Sequence, residues 1–140
     1  MKSWLGLHPT YRVATDDDCV CWGFIKELRA GDGGVWKPVP DYHPYIATGD
    51  SNGDGVEDFA VVVIDRSKRE KNFVLAVFNG PFPSASTSPA FIQTGLNLGG
   101  RGLSYGPPRP KPYRLVLGPF ESDNGALLIP KGNSYRWSAD

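Results

Sequence analysis

The sequence predicts an α+β domain, a mainly antiparallel sheet with one N-terminal helix packed on one face. Three observations carry that expectation. An acidic run followed by apolar residues at helical spacing marks a helix over residues 15–31. The unbroken run from Phe59 to Ile64, largely β-branched, marks a strand buried on both faces and therefore central. Further apolar segments, joined by short polar stretches, supply antiparallel neighbours.

The helix rests on "TDDDCVCWGFIKELRAG". Thr15 or Asp16 can cap it, and Asp16 to Asp18 suit the positive end of the helix dipole. Cys21, Phe24, Ile25 and Leu28 then form one apolar stripe at i, i+3, i+4 and i+7. Gly31 offers a stop, and Gly23 weakens the pattern by about 1 kcal/mol relative to Ala. On such a helix Cys19 and Cys21 lie ~200° apart around the axis. They are therefore expected as two separate, semi-buried thiols and not as a mutual disulfide.

Next comes "GDGGVWKPVPDYHP", a loop rich in Gly and Pro. "YIAT" reads as a short strand, "DFAVVVID" as the central one, and "NFVLAVFN" as its antiparallel partner. The connection "RSKREK" reads as a solvated hairpin tip despite its charge. Residues 80–112 read as a long irregular loop, with "PPRPKP" extended and polyproline-like. "YRLVLGPFE" and "GALLIPK" form a hairpin across "SDN", and order ends near "SYRW".

One domain is expected for 140 residues, and the hydrophobic share of 40% can fill a core. Fifteen basic residues balance fifteen acidic ones, so no net field draws nucleic acid or an anionic membrane. No apolar run reaches the ~18 residues of a membrane span. The segment "MKSWLGLHPTYR" lacks a secretory h-region, because Pro9 and Arg12 interrupt it. A cytosolic protein, or a mature form with its signal removed, fits that reading.

The stretch "GDSNGDGVED", residues 49–58, has the chemistry of a metal loop. Asp50, Asn52, Asp54 and Asp58 stand at loop positions 1, 3, 5 and 9, and Val56 could add its carbonyl at position 7. Calcium takes six to eight oxygens at ~2.3–2.6 Å in a forgiving geometry, which alternate residues of a coiled loop can supply. An EF-hand needs a bidentate acid at position 12, where this chain has Val61. The competing reading is a polar turn in which Asp and Asn bond their own backbone. Three carboxylates in one short loop repel one another without a cation, which favours the metal.

"TGDSNGDGVEDFAVVVID" resembles the calcium loop of FG-GAP and VCBS repeats, where a D-x-[DN]-x-D-G-x-x-D segment precedes an apolar strand. The resemblance implies Asp50, Asn52, Asp54 and Asp58 as side-chain ligands and Val56 as a carbonyl ligand. It covers about 18 residues and occurs once, so the propeller built by those repeats is not implied. The whole chain also resembles small bacterial proteins of unassigned function built around one such loop.

A catalytic set is not evident. His43 lies between tyrosines and directly before Pro44, and His8 is the only other histidine. Glu121 and Asp123, at the turn of "GPFESDNG", could act as paired acids. Trp4, Trp22, Trp36, Tyr42, Tyr45, Tyr105 and Trp137 could line a groove, although aromatics of a small domain more commonly fill its core. The expected function is thus a non-enzymatic binding or interaction module with one structural calcium loop, presenting residues 80–112 to a protein or small ligand, with a homodimer as one arrangement. The alternative is a small hydrolase with a pocket near Glu121, Asp123 and His43. Calcium favours a calcium-rich, extracytoplasmic setting.

Overall fold

Nine strands and very little helix make up the structure, a computed structural model that describes residues 2–19, 29, 42–80, 88–105, 112–119, 125–132 and 134–138. In chain order these are helix α1 (Lys2–Gly6), β1 (Tyr11–Val13), a 3-10 turn (Asp16–Asp18), β2 (Ile46–Gly49), β3 (Asp58–Asp65) and β4 (Phe73–Phe78). Then follow β5 (Phe91–Leu96), β6 (Arg101–Ser104), β7 (Leu115–Pro119), β8 (Ala126–Lys131) and β9 (Ser134–Trp137).

Every pairing is antiparallel, and the strands form two sheets. The first has the order β1-β3-β4-β5, with β2 also on β3. β1 pairs with the end of β3, at Val63 to Asp65, and β2 with its start, at Asp58 to Val61. The two short strands therefore lie end to end along one side of β3. The second sheet is the meander β6-β7-β8-β9.

The central strand is buried on both faces, as its unbroken apolar run requires. Ala60, Val62 and Ile64, with Phe73, Leu75 and Val77 of β4, point into a core shared with Leu103, Leu115, Leu117, Leu128 and Tyr135 of the second sheet. Val61, Val63, Val74, Ala76 and Phe78 point the other way, into a second cluster closed by Trp4 of α1. Tyr45 sits in the inner core at 0% exposure, where its hydroxyl donates to the Leu98 carbonyl at 2.9 Å. The hairpin tip at Arg66 to Lys71 is exposed, as expected.

The α+β expectation is overturned. Among the described residues no helix reaches seven residues, and the inner face of the first sheet is covered by another sheet. An apolar sheet face needs a covering layer, and either a helix or a second sheet satisfies that need. Of the helix expected over 15–31 the structure describes Thr15, Asp16 to Asp18, which form one 3-10 turn, Cys19, and Arg29, which is helical. The expected stripe of Cys21, Phe24, Ile25 and Leu28 lies outside the described residues. The turn ends at Cys19, which is extended (φ −92°, ψ 129°). Arg12 donates to both carboxylate oxygens of Asp18, at 2.8 and 2.7 Å, and Arg29 pairs with Asp16 at 2.8 Å. Cation pairing therefore accounts for these two acids.

Cys19 is disulfide-bonded, which corrects the expectation of two separate thiols. The sequence holds only one other cysteine, Cys21. The separation of ~200° applied to a helix, and Cys19 is extended.

The irregular loop expected over 80–112 is also corrected. It contains β5, an edge of the first sheet, and β6, an edge of the second. β5 is hard to read because a register shift between Phe73 and Leu75 of β4, opposite Gly95 (φ 70°), breaks its alternation. β6 is hidden by the glycines of "GGRGLS". "PPRPKP" lies mainly outside the described residues.

Candidate metal centre

The loop connects β2 to β3, whose ends close it through the pair Gly49 and Asp58. Inside that hairpin the backbone coils tightly, with Gly53 at φ 78° and Gly55 at φ 84°, values that residues with a Cβ adopt at a cost. The coil turns the side chains of Asp50, Asp54 and Asp58 toward one point. One carboxylate oxygen from each lies within 4.8 Å of the other two. Among the described residues none of the three is paired with a lysine or arginine. These three aspartates could hold a metal ion.

The loop is also well hydrogen-bonded by its own backbone. Asp50 accepts from the N–H groups of Gly53 at 2.9 Å, Asp54 at 3.0 Å and Gly55 at 2.8 Å. Asp54 Oδ1 accepts from the Val56 N–H at 2.9 Å, and its Oδ2 faces the Asn52 amide at 3.3 Å. Asn52 and Val56 are thereby tied to Asp54. A carboxylate offers about four acceptor sites, so these bonds leave capacity for a cation, most of it on Asp54.

Asp58 differs in being buried, at 1% exposure. Its Oδ2 accepts from the Ser51 N–H at 3.0 Å and the Ser51 hydroxyl at 3.2 Å, and its Oδ1 from the Gly80 N–H at 2.9 Å. Gly80 follows β4, so one carboxylate ties the loop to the end of the neighbouring strand. The second sheet reaches the loop by two tyrosines. Tyr105 donates to the Asp50 carbonyl at 3.0 Å. Tyr135 lies 3.0 Å from the Ser51 hydroxyl and donates to Asn79 Oδ1 at 2.6 Å. Sequence spacing pointed to none of Ser51, Gly80, Tyr105 or Tyr135. Ser51 stands at a non-ligand position of the motif, and the others are distant in the chain.

Burial pushes the Tyr135 phenol up to about 12; its bond with Ser51 opposes the rise, and the charges of Asp58, Asp54 and Asp50 add to it. Burial also raises Tyr42 to about 12, and it raises Tyr45. In each case the fold favours the protonated form. This stabilisation is fully present below the ordinary value of 10.0 and is lost as pH rises toward about 12. Stability measured by urea unfolding is expected to be level from about neutral pH to about pH 10 and to fall steeply above it, with a shallower fall in Tyr135→Phe. A flat profile through that range contradicts the buried phenols.

His43 accepts from the Tyr45 N–H through Nδ1 at 3.2 Å. It does not line the shallow depression beside the loop, which is bounded by Ala47 to Gly49, Ser51, Asp58 to Ala60, Tyr105 and Leu115. That depression has no room for even one water molecule, so it is no small-molecule pocket. Glu121 and Asp123 lie outside the described residues, as do Trp22 and Trp36. Trp4 and Tyr45 belong to clusters on opposite faces of the first sheet, so the aromatics do not line one groove.

No family model, curated protein or solved structure matches the chain. The FG-GAP and VCBS resemblance therefore rests on the loop's own residues.

Proposed function

We propose that this protein is a non-enzymatic binding or interaction module in which one calcium ion fastens the 50–58 loop to the first sheet. The observation that carries the reading is the convergence of Asp50, Asp54 and Asp58, with oxygens within 4.8 Å of one another. Oxygens at ~2.3–2.6 Å from one calcium ion are at most about 5 Å apart, so this spread fits a single calcium sphere. Magnesium demands strict octahedral geometry and keeps its waters, so a loop of this kind suits it less well. Asn52 and the Val56 carbonyl are the further ligands that the loop offers.

In this reading the ion is structural. It sits where β2 turns into the central strand, and it neutralises three carboxylates beside the joint between the two sheets. A disulfide at Cys19 supports an oxidising compartment, and such compartments are also rich in calcium. An extracytoplasmic setting follows from both features together.

Calorimetric titration of chelator-stripped protein with calcium tests the reading. One ion per chain is expected to bind, and Asp54→Ala is expected to abolish binding. That exposed residue makes few structural bonds, so its loss should leave the fold intact. Free calcium at 10 to 100 times the dissociation constant should add ~1.4–2.7 kcal/mol of stability. Absence of both heat and stabilisation at millimolar calcium leaves the loop a hydrogen-bonded turn and removes the metal from the proposal.

A further inference from the structure

We propose that Asn52 and Asn79 are latent deamidation sites, held closed by the carboxylates of Asp50 and Asp58. The proposal concerns the loop with no metal bound, and its test is run in chelator. The chain has three Asn-Gly dipeptides, Asn52-Gly53, Asn79-Gly80 and Asn124-Gly125, and the first two meet the loop. In such a pair the glycine backbone nitrogen loses its proton and attacks the asparagine side-chain carbon. A C–N bond forms, ammonia leaves with a proton, and a five-membered succinimide results. Water then opens that ring to aspartate or isoaspartate. Glycine favours the attack because no Cβ crowds the approach.

The structure restrains both partners of the reaction at both positions. The Gly53 N–H is held by Asp50 Oδ1 at 2.9 Å, and the Gly80 N–H by Asp58 Oδ1 at 2.9 Å. The Asn52 side chain is held from both ends by Asp54, accepting its N–H at 3.3 Å and donating to its Oδ2 at 3.3 Å. The Asn79 oxygen accepts from Tyr135 at 2.6 Å. The attacking nitrogen must first give up the N–H that the carboxylate holds. The two sites differ in depth. Asp58 is buried, whereas Gly53 is exposed, so Asn52 is the weaker point. Conversion there adds a fifth acid to the loop, beside Asp50, Asp54, Glu57 and Asp58, or, as isoaspartate, an extra methylene to the backbone of a tight coil.

Peptide mapping by mass spectrometry, after incubation at mildly alkaline pH, tests this. Both positions are expected to convert about tenfold more slowly in native protein than in the same chain in urea. Asp50→Ala removes a bond of the charged class, and should raise the ratio of Asn52 to Asn79 conversion by about tenfold. Asp50→Asn keeps the shape and one acceptor oxygen while removing the charge, and should raise that ratio severalfold. The ratio distinguishes local release at Asn52 from loosening of the whole fold, which exposes both sites. An unchanged ratio in both variants overturns the proposal, as does native Asn52 converting as fast as the unfolded chain.

Discussion

Asp58→Ala is expected to destabilise the protein by about 3–5 kcal/mol, even with calcium removed by chelator. Asp58 is the first residue of the central strand and is 1% exposed. Its carboxylate receives Ser51 by backbone and hydroxyl, and Gly80 by backbone. Alanine leaves these donors facing a dry gap. The Ser51 N–H retains the Gly49 carbonyl at 3.0 Å, but Gly80 depends on Asp58 alone among the described residues. For a chain of this size the loss is a fall of roughly 10–15 °C in melting temperature. Asp58→Asn should cost about half as much, because its amide offers one acceptor in place of two. Urea unfolding of both variants beside wild type, all in chelator, checks the expectation. A loss below about 1 kcal/mol for alanine shows that metal ligation alone accounts for the residue.

Phe78→Ala should cost a similar ~3–5 kcal/mol by a different mechanism. Phe78 ends β4 on the outer face of the first sheet and is 0% exposed. Its ring stacks on Phe59 with centroids 4.8 Å apart, and Trp4 meets it edge-on at 5.6 Å. Truncation opens a cavity bounded by two rigid rings and a central strand, which cannot collapse to fill it. Leu7→Ser is the matched control, since Leu7 is 79% exposed and its loss should change stability by less than about 0.5 kcal/mol. Comparable effects from the two substitutions contradict the packing of α1 against the outer cluster.

Short-range patterns were legible where one residue type has one local consequence. The apolar run at Phe59 to Ile64 required burial on both faces, and β3 runs between β4 on one side and β1 and β2 on the other. β4, and the β7–β8 hairpin, follow from apolar segments separated by polar turns. β5 was not legible, because a register shift and Gly95 disturb its period of two. The acidic run at Asp16 to Asp18 has the composition of a helix start, yet it makes a single 3-10 turn in which Asp18 pairs with Arg12 and Asp16 with Arg29.

The loop divides in the same way. Sequence by itself determined the coil, because left-handed glycines and aspartates at alternate positions act within nine residues. It thereby brought Asp50, Asp54 and Asp58 to one point. Only the tertiary structure decided what lies beneath that point. Tyr135 reaches Ser51 across 84 residues, and Tyr105 reaches Asp50 across 55. It likewise decided that a second sheet covers the first. Hydrophobic burial is non-directional, so an apolar strand face specifies that it must be covered without specifying whether a helix or a sheet covers it.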